Sequence, residues 1–227
     1  MTISASSSVK NVSNVTTHGS LLCITGVYFL NFDKVVTRVN NLLIASLWTL
    51  GSREPLGQTL RTFSYTIVSP VLTEAWLSSL DVNLSSHMKM VRACVPYLKL
   101  GFDPSVVMMG SKNVPAPGPG AGAYSVAKAG LTQFARVAAL ELGAHGIRVN
   151  VLHPNAVYDT AIWSDDVLQT RASSYGLSVE EYKKSNVLKQ EVASRDVAIA
   201  AALFAGRDLK MTTGAQIPID GGNERVI

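Results

Sequence analysis

Charge is scarce in this chain: 16% of its 227 residues are Asp, Glu, Lys or Arg, and the formal net charge is only +4. The basic residues Arg92, Lys99, Lys112, Lys128, Arg136 and Arg148 are spread singly, which excludes the clustered cationic face of a nucleic-acid binder. Cysteine is scarcer still. Cys23 and Cys94 stand far apart and match no metal spacing, so they exclude a disulfide scaffold and a metal site and read as buried thiols of a reducing compartment. Long hydrophobic runs are missing as well: Leu21 to Leu30 and Leu42 to Leu50 are each roughly half of a membrane span. The start of the chain is rich in Ser, Thr and Asn with Lys10 as its strong base, whereas a secretory signal needs an early positive region. The reading is a disordered leader over 1–20, no membrane partner, and a cytoplasmic protein.

What the chain has instead is apolar material. Hydrophobic residues make up 47% of it, enough for one globular domain with a substantial core over 21–227. Composition changes near residue 60: the region 21–72 mixes apolar runs with turn residues at no consistent period, while from Thr73 onward helix and strand patterns alternate. Thr73-Glu-Ala-Trp76 opens a helix whose apolar residues recur through Leu84, Met88, Val91, Val95 and Leu98, as one long helix or two abutting ones. Ser105 to Met109 is a short continuous apolar run, as in a strand buried on both faces of a parallel sheet. A loop rich in Pro and Gly, Pro115 to Gly122, leads into a helix over Ala123 to Leu142 that closes at Gly143 and Gly146. A strand over Ile147 to Leu152 breaks at Pro154. An irregular polar stretch, a helix over Ser194 to Ala205 and a strand over Gln216 to Asp220 follow. This alternation predicts an α/β fold, a Rossmann-like doubly wound parallel sheet, with its site at the carboxyl ends of the strands, where Ser111 and Pro154 fall.

Tyr124-Ser-Val-Ala-Lys128 carries the chemistry. Four residues apart on a helix, the two side chains share one face, and an ammonium beside a phenol favours the ionised phenol. A free phenol near pKa 10 is a poor base at pH 7, so the neighbouring cation brings it within range. With seven tyrosines and ten lysines, that spacing arises by chance in about one such chain in three, so it needs context. Ser111 supplies it. It closes one strand, Tyr124 opens the next helix, and the loop between lets hydroxyl and phenol converge on one carbonyl oxygen. Asn83 lies mid-helix, where a short amide costs stability unless it has a task; it is either functional or an ordinary exposed or capping asparagine. His153 reads as a packed or capping residue. Lys112 and Asn113 either touch a polar substrate or line a solvated loop, and Asp220-Gly-Gly222 reads as a strand end and turn.

In their order and approximate spacing, Asn83, Ser111, Tyr124 and Lys128 resemble the Asn-Ser-Tyr-Lys tetrad of the short-chain dehydrogenase/reductase family, and the resemblance runs from about residue 73 to the end. It implies an NAD- or NADP-dependent oxidoreductase acting on a small alcohol/aldehyde or hydroxy-carbonyl substrate. Tyr124 would exchange the proton of the substrate oxygen and Ser111 would hydrogen-bond that oxygen. Lys128 would ionise the tyrosine and hold the nicotinamide ribose, and Asn83 would anchor a water on the proton relay. Pro154 to Thr160 resembles the segment beside the nicotinamide, so Tyr124, Lys128, Pro154, Asn155, Val157 and Thr160 are the cofactor-contacting candidates. Asn155 stands where glycine is usual, which is tolerable because asparagine accepts positive φ. Related enzymes pair through the tyrosine helix, which implies a homodimer or homotetramer, and Ala127, Leu131, Phe134, Val137, Ala138 and Leu142 give that helix an apolar face broader than one sheet contact needs. Gly110 to Gly120, His153 to Thr160, Tyr175 to Tyr182 and Thr213 to Asn223 resemble, more closely, the dehydrogenase module of bifunctional rhamnulose-1-phosphate aldolase/dehydrogenase proteins. That implies NAD and a lactaldehyde-like substrate, and nothing in the first seventy residues looks like an aldolase.

One expected element is missing from the sequence. A dinucleotide on such a sheet needs a glycine-rich turn after the first strand, so that backbone amides can approach the pyrophosphate. Leu21-Leu-Cys-Ile-Thr25-Gly26 begins in that way, but bulky Val27-Tyr-Phe-Leu30 follows, and Ile67-Val-Ser-Pro70 occupies the place of an Asn-Asn-Ala-Gly segment. The first βαβ unit therefore reads as incomplete or altered. Two functions stay open: an oxidoreductase with a degenerate first turn, or a non-catalytic dehydrogenase-like protein that has lost dinucleotide binding and serves a structural or interaction role.

Overall fold

Strand β3 (Phe102–Met109) explains the architecture. Its side chains alternate, Val106 and Met108 to one face of the sheet and Val107 and Met109 to the other, and all four are buried. A strand covered on both faces has to be apolar throughout. The computed structural model describes residues 20–25, 43–44, 73–118 and 120–223. In it β1 (Ser20–Thr25), β2 (Leu43–Ile44), β3, β4 (Arg148–Pro154) and β5 (Gln216–Ile219) form one parallel sheet of order β2-β1-β3-β4-β5.

Helices cover both faces, so the sheet is doubly wound as expected. On one side lie α1 (Thr73–Leu80), a π-helical turn (Asp81–Ser85), α2 (Ser86–Leu98) and α3 (Gly122–Gly143); Val91, Leu98, Leu131, Ala135 and Ala138 pack there on Val106, Met108, Val149 and Val151. On the other lies α6 (Ser194–Ala205), whose Val197, Ala201 and Phe204 pack on Val107, Met109 and Leu152. The C-terminal end of α6 is capped by a cation. Arg148, itself in β4, donates to the carbonyls of Phe204 (2.7 Å) and Gly206 (3.0 Å), where the negative end of the helix dipole favours it.

Three expectations change. The stretch after β4 is not irregular: it holds α4 (Asp165–Ser174) and α5 (Val179–Lys183), each opened by a serine cap, Ser164 and Ser178. The apolar face of α3 is mostly core. Ala127, Leu131 and Ala138 are buried and Phe134 and Leu142 pack partly buried against them, which leaves Val137 exposed and accounts for the width of that face within one chain. Cys94 is half-buried rather than buried, with Sγ 3.7 Å from Met90 Sδ. The leader, Gly26 to Leu30 and Ile67 to Pro70 lie outside the described residues, as does the Cys23 side chain. No helix among the described residues is long and apolar enough to cross a membrane, and none of their His, Cys, Asp and Glu side chains gather into a metal-holding group.

Candidate active site

The strand order reverses direction between β1 and β3, and the carboxyl ends of the strands at such a reversal are the usual ligand site of an open parallel sheet. Ser111 lies two residues beyond β3 at that edge, and Pro154 ends β4 beside it, with the Lys112 amide donating to the Pro154 carbonyl at 3.0 Å. Tyr124 and Lys128 enter from the first turns of α3, both buried. Lys128 Nζ lies 5.8 Å from the centre of the Tyr124 ring and donates to the Met109 carbonyl at 2.9 Å. Burial of its ammonium pulls Lys128 down to about 7 from the ordinary lysine value. Its charge therefore turns over within the neutral range instead of being fixed.

Ser111 is held on two sides. Its Oγ accepts from the Asn113 amide at 3.2 Å, which leaves the hydroxyl proton to be given elsewhere. Behind it, His153 Nδ1 lies 3.0 Å from the Ser111 carbonyl and 3.2 Å from its amide. The far side of the ring decides which contact carries a proton. Arg136 places Nε and Nη2 at 2.8 and 3.1 Å from the Gln216 amide, so that atom is the Gln216 oxygen, and the Gln216 nitrogen donates to His153 Nε2 at 3.2 Å. His153 then carries its proton on Nδ1 and donates to the Ser111 carbonyl. Desolvation is the main reason its pKa falls, so the ring stays neutral. Gly110 makes this packing possible: a Cβ there would sit 2.5 Å from His153 Nδ1 and 2.9 Å from Val151 Cγ1.

Asn83 lies inside the π-helical turn, 1% exposed, with Nδ2 donating to the Ser79 carbonyl at 3.2 Å. It is neither an exposed nor a capping asparagine. The next residue, Leu84, packs on α3 at Gly130, where a Cβ would be 3.1 Å from Leu84 Cδ2, so the π turn is seated against the helix that bears Tyr124 and Lys128. Single π turns inside α-helices are frequent at functional sites. Pro154, Asn155, Val157 and Thr160 are all buried at the strand edge, with the Asn155 amide donating to the Ile219 carbonyl (3.1 Å) and Thr160 Oγ1 to the Val157 carbonyl (2.7 Å). Asn155 does not use the conformation expected of it. Among the described residues the non-glycine positive φ values belong to Asp103 and Lys189, so a glycine is replaced here without left-handed backbone. Lys112 is not merely solvated: Nζ donates to Asn223 Oδ1 at 3.0 Å and ties the serine loop to the C-terminal segment. Asp220 Oδ1 accepts from the Gly222 amide at 2.8 Å, as a strand end and turn should.

Residues 66–224 match the protein-family model described as enoyl-(acyl carrier protein) reductase. The chain belongs to the short-chain dehydrogenase/reductase family. Among short-chain dehydrogenases/reductases and their relatives, it is 42% identical over 123 residues to an uncharacterized oxidoreductase of Bacillus subtilis, YuxG, spanning 52% of this chain and 18% of that one. It is 30% identical over 151 residues to an uncharacterized NAD-dependent oxidoreductase of Mycobacterium tuberculosis, Rv0687, spanning 66% of this chain and 54% of that one. The chain thus spans about half or less of these relatives. A short-chain dehydrogenase family protein from Francisella tularensis superposes with a TM-score of 0.70 at 20% identity, covering 92% of this chain and all of that one, which fixes the Rossmann fold.

Sequence reasoning missed His87, buried at 3% exposure one helical turn beyond Asn83, and the aromatic cluster of Tyr158, Trp163, Tyr175 and Tyr182 in the segment after β4. Signals existed for both. A histidine four residues after a functional-looking asparagine shares its helix face, and Ser178-Val-Glu-Glu181 is a capping-box pattern that marks α5.

Proposed function

We propose that the chain is an NAD(P)-dependent oxidoreductase that interconverts a small alcohol and its carbonyl compound. The observation that carries this reading is the buried Lys128 beside Tyr124, at the same strand edge as a serine whose hydroxyl proton is left free. A nicotinamide nucleotide, when bound, supplies the hydride acceptor or donor. The chemistry of the described residues suits its nicotinamide-ribose end: Lys128 and Tyr124 would offer polar groups to the ribose, and the segment of Pro154, Asn155, Val157 and Thr160, at the end of the neighbouring strand β4, would lie beside the nicotinamide. The segment that would meet the pyrophosphate lies outside the described residues.

In alcohol oxidation Tyr124, as phenolate, accepts the hydroxyl proton of the substrate while Ser111 Oγ donates a hydrogen bond to the same oxygen. The reverse reaction returns that proton to the forming alkoxide. Lys128 stabilises the phenolate, and because its ammonium is held near neutrality it can also pass the proton on. Asn83, in the π turn packed on α3, holds the geometry of that relay. The substrate belongs to the lactaldehyde class, as the Gly110–Gly120 and Tyr175–Tyr182 resemblances imply. The match to YuxG supports a module from a larger enzyme, since the shared region is a small fraction of that protein. NAD is the favoured nucleotide, in keeping with the printed cofactor of the mycobacterial relative.

Titration with NADH and NADPH, read by nucleotide fluorescence and thermal shift, tests binding; silence at millimolar nucleotide would sink the enzyme reading in favour of the structural one. Tyr124→Phe is expected to lower turnover about 10³-fold with nucleotide affinity unchanged, because the hydroxyl moves a proton rather than gripping a ligand. Turnover within tenfold of wild type would remove Tyr124 from the role given to it.

A further inference from the structure

We propose that Asn223 is a positioning residue for Ser111: its side-chain amide clasps the turn after the serine to the segment 185–190, so that turn and segment are held in one arrangement. The effect on turnover rests on the dehydrogenase reading above; the clasp itself does not.

The serine turn is built around Lys112. Its amide donates to the Pro154 carbonyl at 3.0 Å, its carbonyl accepts from the Ala116 amide at 3.0 Å, and its ammonium donates to Asn223 Oδ1 at 3.0 Å. The same turn places the Asn113 amide 3.2 Å from Ser111 Oγ and the Val114 amide 3.0 Å from the Ser111 carbonyl. Whatever fixes Lys112 therefore steadies the donor that orients the Ser111 hydroxyl. The Asn223 amide has one orientation open to it. An ammonium has donors and no acceptor, so the oxygen meets Lys112 and the nitrogen is left to donate to Ser185 Oγ, 3.4 Å away.

The segment beyond Ser185 is seated on the turn that carries Asn223. The Leu188 amide donates to the Gly221 carbonyl at 3.1 Å. Asn186, 3% exposed, is fixed at both ends of its side chain, donating to the Gln190 carbonyl at 2.5 Å and accepting from the Gln190 amide at 3.2 Å. It lies so close to the turn that a Cβ on Gly221 would stand 2.7 Å from its Cγ, and one on Gly222 would stand 3.0 Å from Val187 Cβ. Both glycines also have left-handed backbone, with φ of +64° and +76°. The turn is closed by the Asn223 amide on the Asp220 carbonyl at 3.2 Å and by the Gly222 amide on Asp220 Oδ1 at 2.8 Å. A turn held in this way is a fixed post. Lys112 and Ser185 both bond to the one side chain that it carries, so losing either partner frees the amide to rotate and weakens its hold on the other.

Amide hydrogen exchange reads the clasp without turnover. Lys112→Met is expected to speed exchange about threefold at the Leu188 and Gln190 amides, and Ser185→Ala about threefold at the Asn113 and Val114 amides, because coupling through a shared partner is reciprocal. Exchange that changes only in the substituted segment overturns the proposal, whether or not any variant of Asn223 folds. Turnover gives the second readout. Asn223→Leu is expected to lower kcat for alcohol oxidation about tenfold with the nucleotide KM within about twofold, since the serine is displaced and the nucleotide side is untouched. Asn223→Asp keeps an oxygen for Lys112 and is expected to stay within about threefold of wild type. An equal loss in both variants, or an Asn223→Leu protein with wild-type kcat and only a lower melting temperature, overturns the proposal. Reciprocal exchange in a protein without turnover leaves the clasp standing and rejects the dehydrogenase reading instead.

Discussion

His87 and His153 are both buried, both neutral by desolvation and both within the field of Lys128, yet they are built in opposite ways. His153 ends a chain of satisfied hydrogen bonds that begins at Arg136 and passes through Gln216 to the Ser111 carbonyl. His87 is tied at Nδ1 by Ser86, whose hydroxyl proton goes to the Val82 carbonyl, and has no partner at Nε2 among the described residues. A saturated histidine fixes position, because breaking any link strands a buried group. A half-satisfied one carries the cost of an acceptor that has lost its hydration. The candidate site thus has a rigid side, in which His153 holds Ser111, while the second buried histidine, on α2, has its hydrogen bonds only half made among the described residues.

The rigid side breaks most severely at Gly110. Gly110→Ala puts a methyl group 2.5 Å from His153 Nδ1, and neither the ring nor Val151 can move without disturbing β4. The expected loss is about 3 kcal/mol of stability in urea unfolding, with a fall in turnover as Ser111 shifts. A double-mutant cycle with His153→Ala identifies the contact: if the two losses simply add, the clash is with something other than the ring.

How much of this was legible beforehand divides along the same line. The α/β alternation, the helix over Ser194 to Ala205 and the strand edge carrying Ser111 were readable because each rests on a local pattern: a period, a cap, an apolar run. Tyr124 and Lys128 were readable because one helix turn brings them together. His153 was correctly read as packed, but its partners Gln216 and Arg136 come from β5 and α3, and no local rule joins residues that only tertiary packing assembles. The π turn at Asp81–Ser85 was illegible for a related reason: a single inserted residue shifts the helical phase by too little to show among the apolar residues from Trp76 to Leu98. The width of the α3 apolar face has a second reason within one chain, because a helix between a sheet and a second helix needs apolar residues for both.

The two sides share Lys128, and its charge is tested by stability rather than turnover. The folded pKa near 7 lies below the unfolded value of 10.5, so between those limits the unfolded chain binds a proton that the native protein does not. Wild-type stability must therefore rise with pH from about 7 towards 10, and the cost of burying the ammonium is felt in full below 7. Lys128→Met removes that cost. It is expected to be more stable than wild type by about 2 kcal/mol at pH 6, with the gap closing as pH rises. A gap constant from pH 6 to 10 would mean that the lysine titrates normally.

The smallest expected effect is the most selective. Arg136 is exposed, and Arg136→Ala should cost no more than about 1 kcal/mol, since an exposed guanidinium contributes little by itself. Without its two donors, however, the Gln216 amide is free to turn and present oxygen to His153 Nε2, which then takes the proton from Nδ1 and lets go of the Ser111 carbonyl. Nitrogen-15 spectra should show His153 passing to a mixture of tautomers while His87, set by Ser86 on the other helix, keeps its Nδ1 proton. If both rings respond, the two sides of the corner are one coupled network through Lys128; if His153 alone responds, the serine side is positioned independently of the lysine that it serves.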